Sequence, residues 1–294
     1  MLRFPAVWLR DNCPCAECLD PGTGQKLNDI TELPDGLAVR TAAVTGESVT
    51  VTFAPDGHRS VFPRIWLAEH ALPEHALGDG IDRDGDGDGR TEDSKELWRP
   101  ADLARLPEAR WPRYLGDPAE RARALDAVLR LLHCLRTADD GGDTGLVDGF
   151  AAARELRTTD RKSFELIAGT PVPFGYQDKN TELRASQPLI QLSPRGRIRG
   201  IRFNNRSMRP LRLPYAEVTA FYAAYRTWAE LLARPERQLN LRLAPGDCLI
   251  FDNTRVLHAR TEFSVTGGRY LQGCYADLDG LASTLRVLRR EETL

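Results

Sequence analysis

Apolar and polar residues alternate over "LAVRTAAVTGESVTVTFAPDGHRSVF", residues 37–62, between turns that contain glycine. That period of two predicts a small antiparallel β module within the strand-like, turn-rich stretch from Trp8 to Leu67. The period changes after Asp117. With Asp117 as N-cap, Pro118 at the first helical position and Glu120 at the third, Leu125, Val128, Leu129, Leu132 and Leu135 recur at helical spacing, predicting a helix that reaches Arg136. A second helix is expected from about Pro214 to Ala233, where Val218, Phe221, Tyr222, Tyr225, Trp228 and Leu232 share a face and Pro235 follows. The remainder after Gly141 reads as short strands punctuated by Gly, Pro and Asn: "GLVDGF", "TPVPFGY", "PLIQLS", "RIRGIRFNN", "QLNLRLAPGDCLIFDN", "TRVLHAR" and "RYLQGCYADL". The fold class is therefore mainly β, a small antiparallel β domain followed by a barrel or jelly roll with a few helices.

Residues 79–96, "DGIDRDGDGDGRTEDSKE", hold almost no apolar side chains and cannot pack a core. They divide the chain into an N-terminal domain (1–78), an acidic linker (79–96) and a larger domain (97–294). Within the linker, Asp82, Asp84, Asp86, Gly87 and Asp93 fall at positions of a calcium loop. The flanks are broken by Gly and Pro where an EF-hand needs helices, so a solvated linker is the better reading.

Composition narrows the partners. The chain has 294 residues and a formal net charge of −2, too little positive field to hold a polyanion. Seven arginines between Arg195 and Arg212 alternate with Ile198, Ile201 and Phe203, which suggests a hairpin with one charged face rather than a nucleic-acid surface. With no apolar run of membrane-spanning length and no secretory h-region in "MLRFPAVWLRDN", a cytoplasmic location and a small-molecule partner are expected.

Three of the six cysteines crowd into "CPCAEC". In a reducing compartment Cys13, Cys15 and Cys18 on one tight turn point to zinc, which takes four soft or borderline ligands in a tetrahedron. His58, in a polar turn of the same β module, is the best fourth ligand. His70 and His75 look like surface helix residues. Such a site is closed and structural, because four protein ligands leave no position for substrate.

Further along, "LAPGDCLIFDNTRVLHAR" ends a strand on His258, and Arg269 opens another strand eleven residues later. In a jelly roll the two can face one cavity, the imidazole as a ligand of a non-haem iron and the guanidinium as a grip for the far carboxylate of 2-oxoglutarate. By spacing alone, a buried hydrogen-bonded histidine and an ordinary ion pair account for them equally well.

Taken together, "FPAVWLRDNCPCAECLDPGTGQKL", "DGHRSVFPRIWL", "LLHCLRTADDGGDTGLVDGF", "IRFNNRSMRP", "APGDCLIFDNTRVLHAR" and "GRYLQGCYADLDGLASTLRVL" resemble the γ-butyrobetaine dioxygenase and trimethyllysine dioxygenase family, in order and over most of the chain. The resemblance implies an N-terminal zinc-binding β domain, a C-terminal double-stranded β-helix holding Fe(II) and 2-oxoglutarate, a homodimer, and hydroxylation of γ-butyrobetaine or a similar trimethylammonium acid. It gives Cys13, Cys15, Cys18 and His58 the zinc, His258 the distal iron position and Arg269 the 2-oxoglutarate. Asn204 would contact the substrate carboxylate and Tyr275 would wall the trimethylammonium cage.

One departure stands out. The family's other two iron ligands come as His-x-Asp, yet none of His58, His70, His75, His133 and His258 is followed two residues later by Asp or Glu. The sequence passes from "RALDAVLRL" straight into "LHCLRTADDGGDTG", so the barrel is expected to be shortened near Leu131, with an incomplete iron site. The alternative reading is a catalytically inactive homologue acting as a zinc-binding, dimerising protein. Recruitment of His133, with Asp139 or Asp143, is the disfavoured way to rebuild the triad.

Overall fold

A computed structural model describes residues 3–72, 95–103, 106–130, 133–136, 143–243, 246–260 and 273–291, with the backbone alone for 130, 133–136, 143, 144, 260 and 291. The chain begins with α1 (Ala6–Asp11), then the strands β1 (Ala38–Thr45), β2 (Ser48–Ala54) and β3 (Arg59–Pro63), and α2 (Arg64–Glu69). Next come β4 (Glu108–Arg110), α3 (Trp111–Gly116), α4 (Pro118–Arg130), β5 (His133–Arg136) and β6 (Asp143–Asp148). The helices α5 (Gly149–Thr159) and α6 (Arg161–Gly169) precede β7 (Val172–Gln177), β8 (Glu182–Gln187), β9 (Ile190–Leu192), β10 (Ile198–Ile201) and α7 (Tyr215–Ala233). The last elements are β11 (Leu239–Arg242), β12 (Cys248–Ile250), β13 (Val256–Arg260) and α8 (Leu278–Glu291).

The expected N-terminal β module is the antiparallel meander β1-β2-β3. Burial alternates along β3 and the second half of β2, where Val51, Phe53, Ser60 and Phe62 are buried between more accessible neighbours, whereas β1 is exposed throughout. The other described sheets are small: β7-β8, β9-β10, β11-β6-β13 and β12-β5-β4, the last with β4 and β5 parallel.

Three expectations need correction. The helix beginning at Asp117 is capped as expected, its carboxylate accepting from the N–H groups of Ala119 (2.9 Å) and Glu120 (3.2 Å), but it ends at Arg130 rather than Arg136. Residues 133–136 pair instead with β4 and β12, and ladder bonds on both sides outweigh a helical period carried by only two more leucines. The region after Gly141 is not all strand, since α5, α6 and α8 lie in it. Their signals were present: Asp148 caps α5 through Phe150 and Ala151, and Asp160 caps α6 through Ser163. The stretch from Trp8 to Leu67 likewise contains two short helices, α1 and α2.

Contacts group the residues into two compact units. One comprises Met1–Asp84, Glu155–Gln191 and Arg202–Leu231; the other comprises Gly85–Arg154, Leu192–Ile201 and Leu232–Leu294. The division therefore differs from the one drawn at residues 79–96, because 155–191 and 202–231 pack with the N-terminal residues. In the first unit the Trp8 indole is wholly buried, stacked on Phe4, and its N–H donates to the Leu211 carbonyl at 3.1 Å. Burying such an aromatic stabilises by about 2–3 kcal/mol. In the second unit Trp98, Leu146, Leu241 and Val256 form one core cluster, and Ala122 and Leu125 of α4 pack with Leu285 and Leu288 of α8 in another.

The Asp82–Asp93 calcium-loop pattern, nearly all of the linker, His75, Leu131, Asp139 and Arg269 lie outside the described residues. No helix among the described residues is long and apolar enough to cross a membrane.

Candidate metal centre

The chain leaves α1 at Asn12 and turns tightly, with the Cys18 N–H donating to the Cys15 carbonyl at 3.0 Å and the Leu19 N–H to the same oxygen at 2.9 Å. That turn points all three thiols to one side. Opposite them stands the β2–β3 turn. Gly57 supplies its positive φ of 70°, and the Asp56 carboxylate accepts the His58 N–H at 3.1 Å, fixing the histidine backbone.

His58 Nε2 then lies 3.2 Å from Cys13 Sγ, 3.8 Å from Cys15 Sγ and 3.7 Å from Cys18 Sγ. All four ligand atoms fall within 4.8 Å of one another. A zinc tetrahedron with bonds of about 2.3 Å to sulfur and about 2.0 Å to nitrogen puts its ligands about 3.5–3.8 Å apart, so this donor set fits a metal ion. It is the metal-ligand cluster found among the described residues, and it is the set expected from the sequence.

The surroundings match an anionic cluster. Arg10 Nη1 and Asn28 Nδ2 each donate to Cys18 Sγ at 3.3 Å, and Arg10 Nε pairs with Asp56 at 2.9 Å. Asp56 thus ties the arginine beside one thiolate to the turn that carries the histidine ligand, an outer arrangement that fixes ligand orientation. Cys13 and Cys18 are buried. A hydrogen bond from Cys18 draws the Cys13 thiol down to about 4, and the same bond pushes the Cys18 thiol up, so one negative charge is held between them without a metal.

Beneath the cluster, Asp11 makes a buried ion pair with Lys26 and accepts from the Tyr222 hydroxyl at 2.6 Å. The Tyr225 hydroxyl donates to Asn205, whose amide donates to the Asn28 carbonyl at 2.7 Å. Burial pushes both tyrosines well above their ordinary range, so they remain neutral donors. Sequence reasoning missed Arg10, Asn28 and Asp56. Isolated charged or amide residues, Arg10 at the end of α1 and Asn28 and Asp56 in loops, carry no spacing signal.

Of the residues expected around iron, Arg269 lies outside the described residues. His258 is exposed on β13 opposite Leu146, its ring 5.3 Å from that of Phe251. Asn204 is exposed, and its side chain caps a short turn by accepting from the Ser207 N–H at 3.3 Å. Tyr275 is 87% exposed. His133 lies on β5 opposite Ile250. Cys248 and Cys274 are exposed, although their sequence neighbours are largely apolar.

Sequence reasoning also missed a buried polar group in the second unit. The Asp148 carboxylate takes the Arg255 guanidinium at 2.6 Å and the Trp98 backbone N–H at 2.8 Å while capping α5, and both side chains of the ion pair are wholly buried. Lys95 pairs with Asp252 at 3.1 Å and also donates to the Leu129 carbonyl.

Residues 127–275 match the Taurine catabolism dioxygenase TauD, TfdA family, and residues 1–68 match the domain described as Gamma-butyrobetaine hydroxylase-like, N-terminal. The chain belongs to this dioxygenase family, whose fold is a double-stranded β-helix. Among similar proteins, a gamma-butyrobetaine dioxygenase of Pseudomonas sp. (strain AK-1) is 29% identical over 98% of this chain and 91% of its own length. The human gamma-butyrobetaine dioxygenase is 25% identical over 98% and 91%, and a trimethyllysine dioxygenase of Meyerozyma guilliermondii 26% over 97% and 90%. The alignment with the Pseudomonas protein runs over 347 positions, more than the 294 residues of this chain, so that relative has positions with no counterpart here.

Proposed function

We propose that this chain is a γ-butyrobetaine dioxygenase-like protein, an Fe(II)- and 2-oxoglutarate-dependent oxygenase by lineage that hydroxylates a trimethylammonium acid in carnitine biosynthesis or betaine metabolism. On this reading it is a cytoplasmic homodimer with a structural zinc on Cys13, Cys15, Cys18 and His58. The observation that carries it is coverage: 98% of the chain aligns with proteins named for this reaction. In support, the three thiols and one imidazole of the N-terminal residues converge within 4.8 Å of one another, a donor set that suits zinc.

In this lineage iron supplies dioxygen activation, Arg269 would grip 2-oxoglutarate bidentately, and Asn204 and Tyr275 would meet the substrate's carboxylate and trimethylammonium ends. The iron site does not fit the residues present. A facial triad needs two imidazoles and a carboxylate, and this chain offers His258 without any His-x-Asp. A single exposed aromatic such as Tyr275 contributes about 0.5–1 kcal/mol to holding a cation, short of what a closed cage provides.

The missing His-x-Asp favours a second reading, a non-catalytic homologue shortened near Leu131 that acts as a zinc-stabilised, dimerising protein. Purified chain incubated with Fe(II), 2-oxoglutarate and γ-butyrobetaine separates the two. Succinate formed in step with hydroxylated product supports the oxygenase. About one zinc and no iron per chain, with succinate at the level of a protein-free blank, sinks it in favour of the zinc protein.

A further inference from the structure

The first compact unit contains a cleft of about 700 Å³, within the size range of small-ligand sites. It is lined by the turn after the cysteine cluster, by Trp66 and His70 of the α2 end, by the β7-β8 hairpin and by the segment around Arg209. None of the residues assigned to zinc, iron, 2-oxoglutarate or substrate lines it, so the cleft is independent of both readings above.

Arg209 is the unusual wall residue. Its guanidinium sits in a slot between two glycines: a Cβ on Gly24 would fall 2.8 Å from Nη1, and one on Gly175 would fall 2.6 Å from Nε. Gly24 also has a φ of +63°, where other residues are strained. Only glycine at both positions admits the arginine in this pose, and Nη1 is held there by the Gly24 carbonyl at 2.9 Å. The backbone N–H of Arg209 is fixed too, donating to Pro173 at 2.8 Å.

Charge in the cleft is unbalanced. Lys26 is paired with Asp11, and Arg184 with Glu182. Neither Arg209 nor Arg212 has a carboxylate within ion-pair distance among the described residues. A half-buried guanidinium that is orientated in advance and has no carboxylate partner among the described residues suits an anion: its ordering cost is already met within the fold, and Nε and Nη2 face no described acceptor. Beside it, Trp66 stacks on His70 with ring centroids 4.2 Å apart, and Phe174 supplies a further apolar surface.

We propose that this cleft binds a small organic anion, a carboxylate or phosphate ester carried on a flat apolar body, with its anionic head on Arg209, Arg212 adding positive field and the body against the aromatic wall. Phenyl phosphate and benzoate are the probes, with benzyl alcohol as the neutral control, titrated calorimetrically into the zinc-loaded full chain at low salt. At least one anion binds saturably, benzyl alcohol does not, and affinity falls as salt rises from about 0.02 to about 0.5 M. Arg209→Met weakens binding at least about tenfold, as loss of a charge-assisted pair requires, while the exposed Arg212→Met weakens it less and leaves the thermal midpoint unchanged.

Absence of saturable anion binding, equal binding of benzyl alcohol, or affinity untouched by Arg209→Met overturns the proposal. Should Arg209→Met fail to fold, the salt series on the unsubstituted chain and Arg212→Met decide alone. Salt-independent binding that Arg212→Met does not alter then overturns it.

Discussion

In the first unit three thiols and one imidazole converge within 4.8 Å, braced by Arg10, Asn28 and Asp56; in the second, the histidine of an iron lineage stands exposed on a strand. The first was identified from sequence by residue type and spacing, the second by family resemblance. The difference is completeness. The four candidate metal donors come from two tight turns within the first 58 residues, so one small N-terminal module builds the whole set. An iron triad draws ligands from distant strands, and without a His-x-Asp pair in the sequence His258 does not complete one. Its survival marks ancestry, whereas the four-donor cluster has the geometry to hold a metal.

The contrast is broken most directly at the first site. On the zinc reading, Cys15→Ser removes the metal and with it several kcal/mol of folding free energy, since binding to a structural site is folding free energy. Metal analysis and near-UV circular dichroism should show zinc lost and tertiary structure of the first unit collapsed; retained zinc removes Cys15 from the centre. A comparable loss in the second unit comes from Arg255→Met, which leaves Asp148 as a buried unpaired charge and is expected to cost about 3–5 kcal/mol in denaturant unfolding. A cost under about 1 kcal/mol would mean that water reaches that carboxylate.

Arg10→Ala leaves all four ligands but removes the cation beside Cys18. Competition with a chromogenic chelator should show zinc affinity lowered about 10–100-fold, the usual effect of deleting such a partner. Unchanged affinity would make Arg10 a surface residue only.

Acid sharpens the comparison from the other side. Burial alone would raise the Asp252 carboxyl, but Lys95 and Thr254 outweigh it and hold the group below its ordinary value. A carboxylate depressed in the folded state contributes stability that is fully present above its unfolded value near 3.9 and is lost as pH falls through the lower folded value. Asp252→Asn should therefore flatten the acid limb of the unfolding curve below about pH 4; an unchanged limb would assign it to other carboxylates. The smallest effect is expected from His258→Ala, within about 0.5 kcal/mol of the parent and with zinc content unaltered, because the side chain is exposed. Loss of a bound iron in that variant would reverse the second reading.

Legibility followed the range of the interactions. The β1-β2-β3 meander, the α4 cap at Asp117 and the span of α7 were readable because each is written in neighbouring residues. The end of α4 was not, since the local pattern carries helix through Leu135 while β4 and β12 claim 133–136 as strand. The helices α5 and α6 were readable in principle from Asp148 and Asp160, but the Gly, Pro and Asn punctuation of the region favoured short strands.

By itself the sequence determined the family, the four zinc-type donors and the lack of a His-x-Asp pair, since each is a matter of residue identity and short spacing. Only the tertiary structure decided what those residues face. Whether His258 is enclosed, whether Arg10 reaches Cys18, and whether Arg209 fits between Gly24 and Gly175 depend on segments brought together from far apart in the chain. Such contacts are set by burial and by the pairing of backbone and charge across the fold, and no local pattern encodes them.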